Sequence, residues 1–400
     1  MDAGLRNYLT VTGGYWAFTI TDGAIRMLVV LYFHQLGYSP LAIAMLFLFY
    51  EFFGIVTNLV GGWLGARIGL NNTMHIGMVM QIGALLMLTV PDSWLTVSYV
   101  MAAQAFSGIA KDLNKMSAKA GIKLFLPVGA EEKLFRWVAL LTGSKNALKG
   151  AGFFIGAVLL GWLGWRGSLF ALVGLLTVAL AWTWWRLPTD LGISSAGPKF
   201  KHLLSKSEAV NWLSAARFFL FGARDIWFVV GLPVFLQAVL GWSFMQVGTF
   251  LALWVVGYGV VQGIAPRFIR SASGAAGGRT LAGWAALLSF IPLSIAIGLH
   301  MGWDADAVLI AGLALFGMVF AMNSATHSYL IVAWSDREQV SMNVGFYYMA
   351  NAGGRLAGTL LSGLLYQSWG LAGCLYASSA FIFAAMLLSL KLESVKSAPL

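Results

Sequence analysis

The sequence contains little charge and almost no cysteine. Charged residues make up only 10% of the 400 residues, whereas a soluble chain carries about 25%. The single cysteine, Cys374, excludes a disulfide framework and a cysteine metal site. The five histidines are scattered without ligand spacing, and no clustered nucleophile stands near them. We therefore expect neither an enzyme nor a protein with a metal or other cofactor, and the missing charge predicts a surface that faces lipid.

Hydrophobic residues are abundant instead, at 59% of the chain with a mean hydropathy of +0.80. A helix needs about 20 predominantly apolar residues to cross a bilayer. The sequence predicts an all-α membrane protein with twelve transmembrane helices, near residues 12–35, 41–64, 73–91, 94–116, 135–163, 167–187, 210–238, 243–266, 280–299, 306–334, 340–366 and 370–390.

A short motif occurs twice, about half a chain length apart. Leu36-Gly37-Tyr38-Ser39 returns as Leu240-Gly241-Trp242-Ser243, 204 positions later. Parallel repeats of six spans are the construction of one large class of secondary transporters. We therefore predict an N-terminal six-helix bundle at 1–187, a Pro-, Gly-, Ser- and Lys-containing cytoplasmic linker at 188–209, and a C-terminal six-helix bundle at 210–400.

Basic residues orient the predicted spans. Lysine and arginine gather at one set of span ends, and the opposite ends keep only Arg166. Because cytoplasmic loops carry the excess of lysine and arginine, both termini are predicted to be cytoplasmic. The same bias accounts for much of the net charge of +10. The expected surroundings are therefore a lipid bilayer, and nucleic acid is not an expected partner.

Ionisable residues inside the apolar segments are the most informative feature. Each costs about 2.5–3.5 kcal/mol in hydrocarbon on insertion scales, so it should face a bundle interior or a wet cavity. The cations are Arg26, Lys111, Lys115, Lys145, Lys149, Arg217, Arg224 and Arg355, and the carboxylates are Asp22, Glu51, Asp112 and Asp225. Eight cations against four carboxylates leave an excess of four positive charges, which favours a small multi-anionic substrate.

Two structural interpretations compete with this one. Asp22 and Arg26 are four residues apart on one helix and could form an internal ion pair. A row of lysines in the fourth segment could extend to lipid headgroups. That interpretation is favoured for Lys119 and Lys123, and it stays open for Lys111 and Lys115.

These residues lead to a hypothesis of alternating access around a midplane site. Asparagines could hydrogen-bond the substrate or bridge helices. Glycines are expected at close helix contacts, with a hinge as the alternative, including Gly150, Gly152 and Gly156, and Gly353, Gly354 and Gly358. The predicted substrate-binding residues are Arg26, Lys145, Asn146 and Lys149 in one wall and Arg224, Arg355 and Asn351 in the other. The predicted proton-coupling residues are Asp22, Glu51 and Asp225. The predicted gating residues are Lys111, Asp112, Lys115 and Arg217.

The twelve spans, the repeat and one loop resemble the major facilitator superfamily. Its signature loop between spans two and three corresponds here to Gly62-Trp63-Leu64-Gly65-Ala66-Arg67-Ile68-Gly69. The glycines, the leucine and one arginine match, whereas Ala66 stands where the family usually has aspartate. Leu70-Asn71 replaces the usual basic pair, so the gate interactions ascribed to that aspartate are not expected in this chain.

Longer strings are similar to the ArsJ family of organoarsenical efflux permeases. They are Tyr15-Trp16-Ala17-Phe18-Thr19, Asp22-Gly23-Ala24-Ile25-Arg26-Met27, Leu46-Phe47-Leu48-Phe49-Tyr50-Glu51, Lys111-Asp112-Leu113-Asn114-Lys115-Met116-Ser117, Thr142-Gly143-Ser144-Lys145-Asn146-Ala147-Leu148-Lys149 and Gly222-Ala223-Arg224-Asp225-Ile226-Trp227-Phe228.

The resemblance implies efflux of 1-arseno-3-phosphoglycerate, which a glyceraldehyde-3-phosphate dehydrogenase forms when it uses arsenate. It also implies arsenate resistance and a place in the bacterial cytoplasmic (inner) membrane, and a monomer is expected. Three alternatives remain open. They are a transporter of another organic anion such as an organophosphate or sugar acid, a multidrug exporter with a more apolar cavity, and a membrane enzyme acting on lipid headgroups.

Overall fold

The computed structural model describes residues 3–37, 46–127, 129–188, 191–193, 207–242, 244–269, 277–336 and 339–396, which are helical almost throughout. The helices are α1 (Ala3–Gln35), α2 (Leu48–Ile68), α3 (Leu70–Met87), α4 (Val97–Phe125), α5 (Glu131–Arg186), α6 (Glu208–Phe228), α7 (Gly231–Ala238), α8 (Phe244–Ile264), α9 (Gly278–His300), α10 (Ala305–Ala333) and α11 (Val340–Lys396). These bounds agree with the all-α prediction.

Two of these helices are each interrupted by one glycine. Gly164 in α5 has φ 65° and Gly370 in α11 has φ 62°. This left-handed conformation is readily adopted by glycine because it lacks Cβ. The two glycines lie where the sequence separates its fifth from its sixth segment and its eleventh from its twelfth, so each long helix contains two of the predicted segments.

Five helical stretches of the described residues are long and apolar enough to cross a membrane. They are Val158–Arg186, Thr249–Arg267, Gly278–His300, Ala305–Ala333 and Val340–Leu392. All twelve predicted segments overlap helices, but their number as spans and the side of the termini stay predictions. Most of the predicted linker, and Tyr38, Ser39 and Ser243 of the repeated motif, lie outside the described residues.

The chain forms two compact units from non-contiguous segments. The first unit comprises Met1–Ala130, Ser144–Leu204 and Ser335–Met349, and the second comprises Glu131–Gly143, Ser205–Trp334 and Ala350–Leu400. Residues 131–143 of α5 therefore belong to the second unit, and residues 340–349 of α11 belong to the first. The sequential bundles 1–187 and 210–400 remain a prediction about the organisation of the chain.

Each unit has its own apolar core. In the first unit, Ile25, Leu28 and Phe33 of α1 pack with Trp165 and Leu169 of α5. In the second unit, α6, α8, α9, α10 and α11 contribute a larger core that contains many aromatic rings. In each core the apolar faces of the helices pack against one another, and this close packing fixes the rotation of each helix about its axis.

Large apolar side chains also cover the outside. Trp162 is 82% exposed, Phe154 73% and Val178 70%. Large apolar side chains exposed to this extent are unfavourable in water when they are numerous, because each would be in contact with water. Such a surface suits the hydrocarbon of a bilayer, and the polar side chains then lie in the interior of the protein.

Candidate functional site

The site in the first unit depends on a close approach of α1 and α5. A Cβ atom added at Gly152 would lie 2.7 Å from the Ile20 carbonyl oxygen and 3.1 Å from the Gly23 Cα. At Gly156 it would lie 2.5 Å from the Ala24 carbonyl oxygen. The two backbones therefore touch only because these positions are glycine, and the predicted packing role of Gly152 and Gly156 is confirmed.

This approach brings a lysine of α5 to an aspartate of α1. Lys149 lies one turn before Gly152, and its Nζ is 3.2 Å from Oδ2 of Asp22. The Asp22 side chain is 5% exposed and that of Lys149 is 22% exposed. The pair is therefore largely shielded from solvent, and each charge compensates the other.

The second unit repeats the arrangement with α6 and α11. A Cβ atom at Gly358 would lie 2.5 Å from the Gly222 carbonyl oxygen, and one at Gly354 would clash with the Phe218 carbonyl. Arg355 stands between these glycines, and its Nε is 3.1 Å from Oδ2 of Asp225. The predicted packing role of Gly354 and Gly358 is confirmed as well.

The two ion pairs occupy corresponding positions in the repeat. Asp225 follows Asp22 by 203 residues, and Arg355 follows Lys149 by 206 residues. Both intervals are close to the 204 residues that separate the repeated loop motifs. Each unit therefore holds one buried aspartate against one cation from a later helix, across a glycine contact.

We predict that Gly152→Val prevents correct packing of the first unit, because its side chain would collide with the α1 backbone. Overpacking typically costs about 1–3 kcal/mol, and backbone atoms cannot move aside as side chains can. We expect most of the variant to aggregate in fluorescence-detected size-exclusion chromatography. Gly161→Val is the matched control, since nothing lies within 4 Å of a Cβ at that exposed position of the same helix. Equal yields of the two variants would contradict the prediction.

Tyr50 is the centre of the charged cluster in the first unit. The tyrosine is fully buried, and its hydroxyl donates to Oδ1 of Asp22. Its ring centroid lies 4.2 Å from Cζ of Arg26 and 3.7 Å from Nζ of Lys111. Such cation–π contacts stabilise partly desolvated cations. Sequence reasoning overlooked Tyr50, although it directly precedes Glu51 in one of the strings that carry the resemblance.

The remaining members of this cluster alternate in sign. Arg26 donates from Nη2 to Oε1 of Glu51 at 2.8 Å. Nζ of Lys111 lies 3.9 Å from Oε2 of Glu51 and 3.8 Å from Oδ2 of Asp112, and Lys115 also pairs with Asp112. The structure thus joins Arg26 to Glu51 across helices, and Asp22 to Lys149.

The two lysines predicted to reach lipid headgroups point into the first unit instead. Lys119 is 1% exposed, and its Nζ donates to the Tyr348 hydroxyl at 2.9 Å. Lys123 is half-buried and donates to the Ser335 carbonyl. The headgroup prediction is therefore wrong for both, because this face of α4 contacts Ser335 and Tyr348.

In the second unit, Asp225 accepts from two arginines. The Asp225 side chain is 1% exposed, and its Oδ1 accepts from Nε of Arg224 at 2.6 Å, while Oδ2 accepts from Arg355. The aromatic rings of Phe221 and Phe320 lie 4.9 Å and 5.7 Å from Cζ of Arg224. The carboxylate is thus enclosed by cations and rings.

Arg217 lies two turns before Arg224 on α6 and is 3% exposed. Its Nε donates to Oδ1 of Asn351 at 2.8 Å and its Nη1 to Oγ of Ser324 at 3.0 Å. Asn351 therefore bridges two helices, the structural role that the sequence left open. Lys145 and Asn146 lie one turn before Lys149 on α5 and are half-buried.

Sharing of carboxylates is the main electrostatic feature of both clusters. Glu51, Asp112 and Asp225 each lie within 4 Å of two cations. Six of the eight predicted cations consequently contact a carboxylate, although cations outnumber acids in both sets. Arg26, Lys111, Lys115 and Lys149 surround three acids, and Arg224 and Arg355 surround one. Each of these two named sets therefore contains one more cation than carboxylates, while its members remain paired.

Long apolar helices with lipid-compatible outer faces and charges in their interiors define a multi-pass membrane protein. A family model described as Major Facilitator Superfamily matches residues 11–291. The chain therefore belongs to the major facilitator superfamily, and it is a membrane transporter of that fold. No curated protein matches the sequence significantly.

Solved structures of the same fold cover nearly the whole chain. A bacterial homologue of the iron transporter ferroportin, in an outward-facing state, is 16% identical with a TM-score of 0.76, covering 98% of this chain and 100% of its own. The human organic anion transporter MFSD10 (TETRAN) is 16% identical, with a TM-score of 0.76 and coverage of 97% and 100%. The proton:xylose symporter XylE is 13% identical, with a TM-score of 0.76 and coverage of 98% of both chains. At these identities the likeness concerns the fold alone.

Proposed function

We propose that this transporter exports a small organic polyanion, 1-arseno-3-phosphoglycerate, and thereby confers arsenate resistance. The observation that carries the proposal is a contact between a buried aspartate and a half-buried cation at corresponding positions of both units, Asp22–Lys149 and Asp225–Arg355, each in a set with more cations than carboxylates. The resemblance to organoarsenical permeases selects this polyanion among the possible organic anions.

The proposed binding step is an exchange of carboxylates. Lys149 and Arg355 hold aspartate oxygens at 3.2 Å and 3.1 Å, and a carboxylate, phosphate or arsenate group of the substrate presents equivalent oxygens. Arginine forks can bind such groups through two parallel hydrogen bonds. The arriving anion takes over the cation, and the excess charge of each cluster favours its capture. Arg26, Arg224, Lys145, Asn146 and Asn351 complete the proposed substrate-binding set.

We assign the coupling proton to one of three carboxylates, Asp22, Glu51 and Asp225, which takes it up as the anion leaves on the outer side, so that proton entry drives export. Of the three proposed carriers, Glu51 has the most exposed side chain at 29%, against 5% for Asp22 and 1% for Asp225. A proton carrier must exchange with water, so Glu51 is the favoured acceptor, and the more buried Asp22 and Asp225 are the alternatives. Lys111, Asp112, Lys115 and Arg217 are proposed to gate access.

The biological setting proposed for this activity follows from the same resemblance. The protein acts as a monomer in the bacterial inner membrane with both termini cytoplasmic, and a glyceraldehyde-3-phosphate dehydrogenase supplies the adduct. An anionic cargo is also named for one protein of the same fold, the organic anion transporter. The competing function is transport of another organic anion such as an organophosphate or sugar acid, for which the same cation sets would serve.

Uptake by everted membrane vesicles tests the proposal, since export from a cell becomes uptake in this preparation. The dehydrogenase and arsenate generate the adduct in the assay, and arsenic is counted inside the vesicles. We expect uptake of the adduct to exceed that of inorganic arsenate at least tenfold and to require a proton gradient. Preferred uptake of 3-phosphoglycerate or a sugar phosphate would establish the competing function. Equal arsenic uptake in vesicles lacking the protein would refute organoarsenical export.

A further inference from the structure

Four lysines follow one face of α4 at intervals of four residues. Lys111, Lys115, Lys119 and Lys123 recur at each turn, and residues four apart lie above one another on a helix. At about 1.5 Å per residue, neighbouring lysines are offset by about 6 Å along the axis and the row extends about 18 Å. The row begins at the Tyr50 cluster and ends near Phe125, the predicted cytoplasmic end of the helix.

The row faces the interior of the first unit. The side chains of Lys111 and Lys115 are 16% and 12% exposed, and Lys119 is almost completely buried. A buried ammonium group is costly compared with an apolar side chain of similar size. Packing alone would be served by methionine or leucine at these positions, so charges placed here point to a functional role.

The oxygen atoms that the four lysines contact include a carboxylate at one end of the row and neutral oxygens at the other. Lys111 and Lys115 contact the carboxylate of Asp112. Further along, the contacts of Lys119 and Lys123 include neutral oxygens, the Tyr348 hydroxyl and the Ser335 carbonyl. A neutral oxygen attracts an ammonium group less strongly than an anion does. An anionic group of a substrate can therefore compete with these two oxygens for the lysines.

We propose that these lysines form a relay that guides the anionic substrate from the end of α4 to the Tyr50 cluster. Successive ammonium groups about one helical turn apart let a multi-anionic molecule bind the next lysine before it leaves the previous one. The relay rests on the proposed function, because it requires an anionic cargo. It assigns a transport role to Lys119 and Lys123.

The rival role for the same lysines is structural. Lys119 and Lys123 contact Tyr348 and Ser335, and Ser341, which lies between these two residues in sequence, donates to the Gly62 carbonyl at 2.7 Å. If the role is structural, transport depends on the hydrogen bond between Lys119 and Tyr348 and not on the positive charge of the lysine. Tyr348→Phe removes the hydroxyl that Lys119 contacts but leaves the charge of the lysine in place, so the two roles can be separated.

The experiment measures adduct uptake by everted vesicles for Lys119→Gln, Lys119→Arg and Tyr348→Phe, after size-exclusion chromatography has confirmed folding. We expect Lys119→Gln to raise KM about tenfold, since local charge raises substrate capture by at least this factor. Lys119→Arg and Tyr348→Phe should stay within about twofold of the wild type, because both retain a cation. Equal KM increases in Lys119→Gln and Tyr348→Phe would overturn the relay in favour of the structural role, as would an unchanged KM in Lys119→Gln.

Lys123→Gln is a second test of the relay, and folding should be less affected because Lys123 is half-buried. We expect the same direction of change in KM, and a wild-type KM in this variant would count against the relay. Uptake by the wild-type protein distinguishes failure of the proposed function from failure of the relay. Absence of adduct uptake by the wild-type protein refutes the proposed function, whereas normal uptake by both lysine variants refutes only the relay.

Discussion

Replacing Arg355 with alanine is expected to abolish arsenate resistance while the protein remains in the membrane. Arg355 is the cation that the substrate is proposed to take from Asp225, and its side chain is 33% exposed, against 1% for Asp225. Truncating one member of a buried charge pair costs about 2–5 kcal/mol, and we expect a value near the lower end for this partly exposed arginine. We therefore expect adduct uptake by everted vesicles to fall at least 100-fold, which corresponds to about 2.7 kcal/mol. Growth on arsenate should fall to that of cells lacking the transporter.

Two variants control this experiment. Arg355→Lys keeps the charge but loses the forked geometry that suits oxyanions, so uptake should be intermediate. Arg186→Ala removes an exposed arginine at the end of α5, and resistance should stay normal. Asp225 keeps its contact with Arg224 in the Arg355 variants, which protects the fold of the second unit. Normal resistance in Arg355→Ala would refute the assignment of Arg355 to the substrate.

The all-helical fold could be predicted from sequence because it depends on local properties of the chain. Segment hydropathy locates helices without knowledge of their neighbours, and the two positive-φ glycines, Gly164 and Gly370, lie at predicted segment boundaries. The glycine contacts at Gly152 and Gly358 could also be anticipated, because small residues at helical spacing permit close backbone approach. The interval of 204 residues pointed to a repeat, to which the two ion pairs conform.

The partners of the charged residues could not be predicted in the same way. Asp22 and Arg26 are only four residues apart on α1, but Asp22 contacts Lys149 and Arg26 contacts Glu51 on other helices. A helix brings one face toward each neighbour, so its rotation and the identity of that neighbour decide which charges meet. The excess of cations was visible in the sequence, whereas the sharing of one carboxylate by two cations was not.

Lys119 and Tyr50 also have contacts that could not be predicted, because their partners are distant in sequence. Lysines four apart near a helix end fit either headgroups or an interior path, and only contact with Tyr348, 229 residues away, distinguishes the two. Tyr50 lies within a run of aromatic and apolar residues that suits a lipid-facing surface equally well. Its hydroxyl contact with Asp22 requires the packing of α2 against α1, which has no local signal.

The Asp22–Lys149 pair yields the second large expected effect, on stability rather than on transport. Lys149→Met leaves the Asp22 carboxylate buried with the Tyr50 hydroxyl but without its lysine. Removing one partner of a buried ion pair costs about 3–5 kcal/mol. We expect a value near the lower end because the Lys149 side chain is 22% exposed. The melting temperature in detergent and the folded yield should both fall clearly.

Adding Asp22→Asn to Lys149→Met is expected to restore the melting temperature, because a neutral amide beside a neutral thioether leaves no uncompensated charge. Asparagine can still accept the hydrogen bond from Tyr50. Transport should nevertheless stay absent in the double variant, since the cation that binds the anion and the displaced carboxylate are both gone. If the double variant were as unstable as Lys149→Met, charge compensation would not explain the stability of the pair. If it transported the adduct, exchange at this pair could not be the binding step, and the excess charge carried by Arg26, Lys111 and Lys115 would have to supply it.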